Sequence, residues 1–483
     1  MFIRVYKLNH KLCVRGKNME NTQKRKFGLL TTVAMIVGIV IGSGIFFKTD
    51  NILNAVGGSV ALGVLAFIVG GVGIVFGGLT IAVLARRDEN VGGLITYCEM
   101  TWGKTLGYLA GWFQTIVYYP PLVAVIAWVS AMYTSMLFGW TDPKIILGMR
   151  FDALPEWPFP FTVGVWVIAL GVMVLFFLFN AFQTKLAGKF QSAAMIIKVS
   201  ALIILGFTGI VFGKPASVIE FADWGMVGGG FFLALVPIAY AYDGWQVAPS
   251  VAHEIKNPKR NLPLALTFAP LLIMAIYVAY FIGINAVLGP SQVLELGDEA
   301  VSVFATQIFG SVGFNIVLTA VVISVLGTLN GLILGYIRLP YALGLRNELP
   351  LSTKFASVDQ RTDIPMFSAM FTFVMSLFWL AMHFATTVGV IVFGWTIFKG
   401  VSVDELSIVL IYIFMVFIYL GVMKDFLVKK VGNWVQGFIF PLLAVIGAST
   451  AIYGGFLSPM VRTYLIICLV VIVSGLFIRP QTK

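Results

Sequence analysis

The chain has 483 residues, of which 59% are hydrophobic and only 11% charged, with a mean hydropathy of +0.96. A soluble domain carries about 25% charged residues, so the composition excludes a soluble enzyme or binding module and points to a polytopic membrane protein. The formal net charge of +11 would suit a nucleic-acid partner, but its placement makes one unnecessary, and three scattered cysteines (Cys13, Cys98, Cys468) exclude a disulfide framework or a metal centre.

Residues 1–26 are polar and basic and lack the apolar core of a signal peptide. Beyond them, apolar runs of the length needed to span a bilayer, about 20 residues, fall at 27–48, 58–84, 105–138, 160–181, 187–212, 226–247, 263–287, 311–344, 366–397, 405–423, 433–454 and 459–478. This predicts an all-α fold of about twelve transmembrane helices. The third, eighth and ninth runs are long enough to tilt or to carry irregular ends. Lys and Arg set the orientation. With the N-terminus inside, the basic tail, Arg86, Arg87, Lys104, Lys185, Lys189, Lys256 to Arg260, Arg346, Lys354, Arg361 and Lys424 to Lys430 all face the cytoplasm. The external connections carry acids instead, such as Glu295, Asp298 and Glu299. An even number of spans puts both termini in the cytoplasm. The basic balance thus reports orientation in a lipid bilayer, and no nucleic-acid partner is expected.

The first span is interrupted by Gly42-Ser43-Gly44. Glycine weakens a helix, and a serine hydroxyl can serve backbone groups that a break frees. A broken helix in lipid survives only against protein or a watery cavity. The half-helix starting near Ile45 presents free N–H groups and a positive dipole end, a seat for a carboxylate. The half-helix ending near Val40 presents free carbonyls, a seat for an ammonium. One break therefore offers both poles that an α-amino acid needs. The competing reading is a close helix-packing face built on small residues. About 200 residues later the sixth run is interrupted at Tyr242-Asp243-Gly244-Trp245. Paired breaks five helices apart are expected of two inverted repeats with substrate held at both breaks. The expected organisation is a tail (1–26), a first repeat (27–212, spans one to five), a second repeat (226–425, spans six to ten) and a final pair of spans with the C-terminal tail (433–483).

Ionisable groups deep in a span are costly, about 2.5 to 3.5 kcal/mol at a helix centre, so each calls for a reason. Lys198 lies about eight residues, or about 12 Å at helical rise, inside span five from Phe190. It is expected to donate to carbonyls freed by the break in span one. Asp243 has two readings: a cap for free N–H groups of the second half of span six, or a direct ligand of a substrate ammonium. Tyr240, three residues before the break, is either a lid over substrate or helix packing. Arg338 is expected in an interfacial or inter-loop ion pair, and His383 and His253 in structural or solvated places. No acid–base or nucleophile constellation marks an intramembrane enzyme, and no repeated filter loop marks a channel. No cofactor or metal is expected.

These segments resemble the amino acid–polyamine–organocation superfamily, and within it the bacterial relatives of the L-type amino acid transporters and serine/threonine exchangers. The matching stretches are Gly42-Ser-Gly-Ile-Phe46, Gly92-Gly93 with Tyr97, Lys198, Tyr242-Asp-Gly-Trp245, and His253-Glu-Ile-Lys-Asn-Pro-Lys-Arg-Asn-Leu-Pro263. The resemblance implies a 5+5 inverted repeat with broken helices one and six, working by alternating access in the cell membrane. It implies that Gly42, Ser43 and Gly44 bind the α-carboxylate through backbone N–H groups. The α-amino group would meet carbonyls of Val40, Tyr240, Ala241 and Asp243, with Tyr240 as the gate. Lys198 would stand where sodium-coupled relatives hold a structural cation. Two departures stand out. Glu89 replaces a usual proline before the Gly-Gly pair, and residues 139–160 contain no cysteine, so no disulfide-linked heavy subunit is expected. The function that follows is sodium-independent exchange of neutral amino acids, with proton-coupled symport as the alternative.

Overall fold

The computed structural model describes residues 28–42, 44–87, 93–140, 145–146, 149–150, 163–218, 228–246, 255–359, 361–362, 364–388, 390–392, 395–397, 403–457 and 459–480. Expectations resting on the basic tail, Ser43, Glu89, Gly92 and His253 lie outside the described residues.

Each apolar run contains a helix. Span one comprises α1 (Leu29–Val40) and α2 (Gly44–Phe47), continued by α3 (Thr49–Ala55). Span two is α4 (Val60–Ala85), followed by α5 (Gly93–Trp102). Span three is α6 (Lys104–Phe113), a π-helical turn at Gln114–Tyr118, and α7 (Tyr119–Leu137). Spans four and five are α8 (Val163–Phe182) and α9 (Thr184–Phe212), followed by the short α10 (Pro215–Val218). Span six is α11 (Gly229–Ala241), span seven α12 (Pro258–Leu288), and span eight lies in α14 (Ala300–Leu345) after the short α13 (Pro290–Leu296). After α15 (Ser352–Phe355) come α16 (Met366–Val388) and α17 (Val403–Leu427) as spans nine and ten. A π turn at Val435–Ile439 leads into α18 (Phe440–Leu457), and α19 (Pro459–Ile478) closes the chain. Among the described residues ten helices are long and apolar enough to cross a membrane, and two shorter apolar ones, Gly229–Ala241 and Leu465–Ile478, hold the places of spans six and twelve.

The differences from the apolar runs have local causes. Span six ends early, at Ala241, with Pro237 already weakening its ladder. The ninth run was expected to reach residue 397. Its helix stops at Val388, and Val390–Val392 then pairs antiparallel with Trp395–Ile397. That stretch is rich in β-branched and aromatic residues, which suit a strand. A second short ladder pairs Ile145–Ile146 with Met149–Arg150. Gly310, at φ 70°, breaks α14 near its start, so the straight part of span eight begins after it.

Span three is the centre of the bundle: its most apolar window is 89% buried, against 28% for span five. Span five instead turns Ile196, Ile203, Ile204, Phe207 and Phe212 outward, a face suited to lipid. Its other face packs on span seven through glycine. A Cβ at Gly209 would lie 2.6 Å from Gly283 Cα, so two backbones touch there. Gly73 and Gly447 bring spans two and eleven together in the same way.

Candidate functional site

The two breaks meet. α1 ends at Val40, Ile41 is extended (φ −65°, ψ 102°), and α2 begins at Gly44. α11 ends at Ala241, and Gly244 adopts φ +103°, a conformation that side-chain-bearing residues rarely take. A Cβ on Gly44 would come within 2.9 Å of Ala241 Cα and 3.0 Å of Tyr240 Cδ1. One on Gly42 would come within 3.0 Å of Thr328 Oγ1. Gly44 is therefore required by the close approach of one break to the other, and Gly42 sits tightly against the Thr328 side chain of span eight.

Around this junction lies a cavity of about 350 Å³, bounded by spans one, three, five, six and eight. Val40, Gly42, Gly44, Lys198, Tyr240, Ala241 and Asp243 all line it. Of the candidate site residues only Ser43 lies outside the description.

Free carbonyls at both breaks converge on one hydroxyl. Tyr277 of α12 donates to Ala241 O at 2.9 Å and lies 3.3 Å from Val40 O. A phenol carries one proton, so it satisfies one of these carbonyls fully at a time. The other stays able to accept from a ligand N–H. Tyr277 thus does what was expected of Lys198. Lys198 Nζ is buried in the cavity wall and has no hydrogen-bond partner among the described residues.

The Asp243 carboxylate is held by side chains. Tyr118 donates to Oδ2, and Gln246 Nε2 donates to Oδ1 at 2.8 Å and to the Tyr118 hydroxyl at 2.8 Å. The Gly244 N–H, freed by the turn, goes to Gln246 Oε1 at 3.1 Å. The capping of the break is therefore shared between Asp243 and Gln246. Tyr118 reaches Asp243 because the chain around it is not regular α-helix. Pro120 and Pro121 have no N–H to offer the carbonyls of Thr115 and Ile116, five residues earlier in the π turn, or of Ile116 and Val117, four residues earlier. Three other helices supply the missing donors: Tyr336 to Thr115 O (2.6 Å), Trp379 to Ile116 O (2.8 Å) and Ser407 to Val117 O (2.7 Å). The π turn is thereby pinned by spans eight, nine and ten, and Tyr118 is aimed at the break in span six.

One end of the cavity is shut by charge. Lys48 Nζ lies 3.0 Å from Asp404 Oδ2 and 2.8 Å from Glu405 Oε1. Lys48 and Asp404 are 4% and 2% exposed. The ammonium also sits 5.3 Å from the ring centroid of Tyr240 and 5.2 Å from that of Phe47. Tyr240 therefore lies between this ion group and the cavity. At the other end the cavity runs along span eight past Gly331 and Gly335 to Arg338. Arg338 was expected in an ion pair. It is exposed at the cavity wall and forms no ion pair with the described residues. His383 is buried between the rings of Trp128 and Trp166, at 5.1 and 5.5 Å.

Tyr118, Gln246, Tyr277 and Thr328 were not among the residues singled out in the sequence. Pro120-Pro121 within an apolar run was a usable signal for the first. Nothing local marks Tyr277, one tyrosine in a regular helix.

A helical membrane bundle with two broken spans facing a closed-ended central cavity defines a carrier of small solutes. Residues 27–481 match the amino acid permease family, and the chain belongs to that family: it is an amino acid transporter. It is similar to the serine/threonine exchanger SteT of Bacillus subtilis (strain 168), 28% identical over 418 residues, covering 85% of each chain. It is also similar to the human cystine/glutamate transporter, 27% identical over 353 residues, 71% of this chain and 65% of that one. The mouse large neutral amino acids transporter small subunit 2 is 28% identical over 365 residues, 73% of this chain and 64% of that one.

Proposed function

We propose that this transporter exchanges neutral α-amino acids across the cell membrane, without sodium, by alternating access around the two breaks. The observation that supports it most is the meeting of both poles in one cavity. The first N–H groups of α2, which no intrahelical carbonyl can serve, suit a carboxylate, and carbonyls of Val40 and Ala241 suit an ammonium. In the proposed orientation both termini are cytoplasmic, the Lys48 end is extracellular and closed, and Arg338 marks the open cytoplasmic end. The two five-helix halves (27–212 and 226–425) are proposed as inverted repeats, with α1–α2 and α11 rocking against the remaining spans. Val40, Gly42, Ser43, Gly44, Tyr240, Ala241 and Asp243 are the proposed substrate contacts, and Tyr240 the gate. The protein is proposed to work without a disulfide-linked partner subunit, since residues 139–160 offer no cysteine.

Proton-coupled symport is the second reading, and one observation favours it: Lys198 Nζ is buried at the cavity without a partner among the described residues. Purified protein in sodium-free proteoliposomes loaded with single unlabelled amino acids tests both. Uptake of a labelled neutral amino acid that depends on the loaded one supports exchange. Uptake into empty vesicles that appears only with an inward proton gradient replaces exchange by symport.

A further inference from the structure

Two neutral polar side chains line the cavity with hydrogen-bonding groups to spare. Tyr240 and the Lys48 group close one end, so a solute held at the breaks finds room along span eight, over Gly331 and Gly335. A Cβ on Gly331 would lie 3.0 Å from Gln191 Nε2, and one on Gly335 would lie 3.7 Å from the Tyr119 hydroxyl. The two side chains therefore lie across the two glycines, which are about 6 Å apart along the helix.

The Gln191 amide is oriented by a chain of amides across three helices. Backbone carbonyls only accept, so the amide that meets one must turn its nitrogen to it. Asn180 of α8 gives Nδ2 to Phe176 O at 2.9 Å and to Asn330 Oδ1 at 2.9 Å. Asn330 of α14 gives Nδ2 to Ala187 O at 3.1 Å and to Gln191 Oε1 at 3.1 Å. Both asparagines are wholly buried. The Gln191 oxygen is thus committed. Its Nε2 has no partner among the described residues, and both its protons are left for the cavity that Gln191 lines. The Tyr119 ring is held by stacking on Tyr336, with centroids 5.6 Å apart and planes at 8°. Its hydroxyl has no partner among the described residues either.

We propose that Gln191 and Tyr119 form a side-chain subsite for amino acids ending in a carboxamide, the asparagine and glutamine class. The subsite rests on the reading of this cavity as the amino acid path. A carboxamide offers an acceptor oxygen and a donor nitrogen side by side. Gln191 Nε2 only donates, so it takes the oxygen; the Tyr119 hydroxyl also accepts, so it takes the N–H. The reach agrees. Thr328, which would meet a Cβ on Gly42 at 3.0 Å, lies three residues before Gly331, about 4.5 Å along the helix. That distance calls for a side chain of several bonds. Thr328 does not compete as donor, because its Oγ1 already donates to Ser324 O at 3.1 Å.

The test uses near-isosteric pairs in proteoliposomes of the full chain: L-glutamine against L-methionine, and L-asparagine against L-leucine. Ratios within a pair cancel any change in protein amount or overall rate. In the wild type the amide member of each pair is expected to exchange about fivefold faster. Gln191→Met and Tyr119→Phe should each lower both ratios about fivefold while methionine and leucine exchange persists. Tyr119→Phe keeps the stacked ring, so it decides alone if Gln191→Met does not fold. Methionine and leucine exchanged as fast as their amide partners by the wild type overturn the subsite. So do ratios left unchanged by the variants. Absence of exchange with every neutral amino acid in the wild type overturns the path itself, and the subsite with it.

Discussion

The ion group at the Lys48 end should set how often the cavity opens on that side. Lys48 Nζ and Asp404 Oδ2 are 3.0 Å apart and both almost free of solvent. Opening that end must separate them. Asp404→Asn keeps the side-chain volume and removes one charge, leaving Glu405, at 2.8 Å, to hold Lys48. Close, desolvated charge pairs couple by about 1.5 to 7 kcal/mol; with Glu405 as a second partner the low end applies, about 2 kcal/mol. That is about a thirtyfold shift of the open-to-closed ratio. A cysteine at Ile408, wholly buried one turn further along α17, reports opening through its rate of reaction with a membrane-impermeant thiol reagent. The rate should rise about thirtyfold in Asp404→Asn, and less in Glu405→Gln, whose carboxylate is already 17% exposed. Unchanged labelling in both Asp404→Asn and Lys48→Met would refute the reasoning.

Three further outcomes follow from the junction of the breaks. Gly44→Ala places a Cβ 2.9 Å from Ala241 Cα, a backbone atom that cannot swing aside, so transport should fall by more than about tenfold; near-normal uptake at normal protein level would contradict the close approach. Tyr277→Phe removes the donor shared by Ala241 O and Val40 O, at a cost of about 1 to 3 kcal/mol. An α-ammonium can replace that donor, so the ligand-induced rise in Tm should be larger in the variant than in the wild type, and an unchanged or smaller rise would separate these carbonyls from the substrate. Tyr118→Phe leaves Asp243 with Gln246 alone, and exchange should slow while the Tm drops by several degrees, about 2 to 4 kcal/mol for two hydrogen bonds of which one is to a carboxylate. Full activity in that variant would reduce the network to packing.

The class of fold was legible because it follows from composition and length: a chain this apolar, cut into runs of about 20 residues, has few alternatives to a helical bundle. The breaks were legible because Gly42, Gly44, Asp243 and Gly244 are costly in a regular span, and each therefore stands out from its surroundings. What stayed hidden were partners supplied across the bundle. Tyr277 and Thr328 sit in regular stretches of their helices, away from Pro270 and Gly310, so no local anomaly marks them. Arg338 was read by its distance from a helix end, which suggests an interface; which way its helix faces decided that it lines the cavity instead. Lys198 is buried at the cavity wall, but the carbonyls expected to meet it are served by a neutral hydroxyl instead.

That last substitution bears on how such a junction can move. Had the freed carbonyls of Val40 and Ala241 each been bonded to a fixed cation, both breaks would be locked and opening would require separating buried charge, as at Lys48. A single phenolic proton between two carbonyls imposes a weaker constraint, because one acceptor is always under-satisfied and the proton can follow whichever half-helix shifts. The arrangement therefore keeps the strong interactions at the periphery, where the Lys48 group closes one end and the donors from spans eight, nine and ten pin the π turn. The weak one lies at the centre. In the proposed binding mode a substrate, bringing three ammonium protons, satisfies the centre better than Tyr277 can. On that proposal the bound state is the one in which both breaks are held, and the empty cavity the one in which they are not.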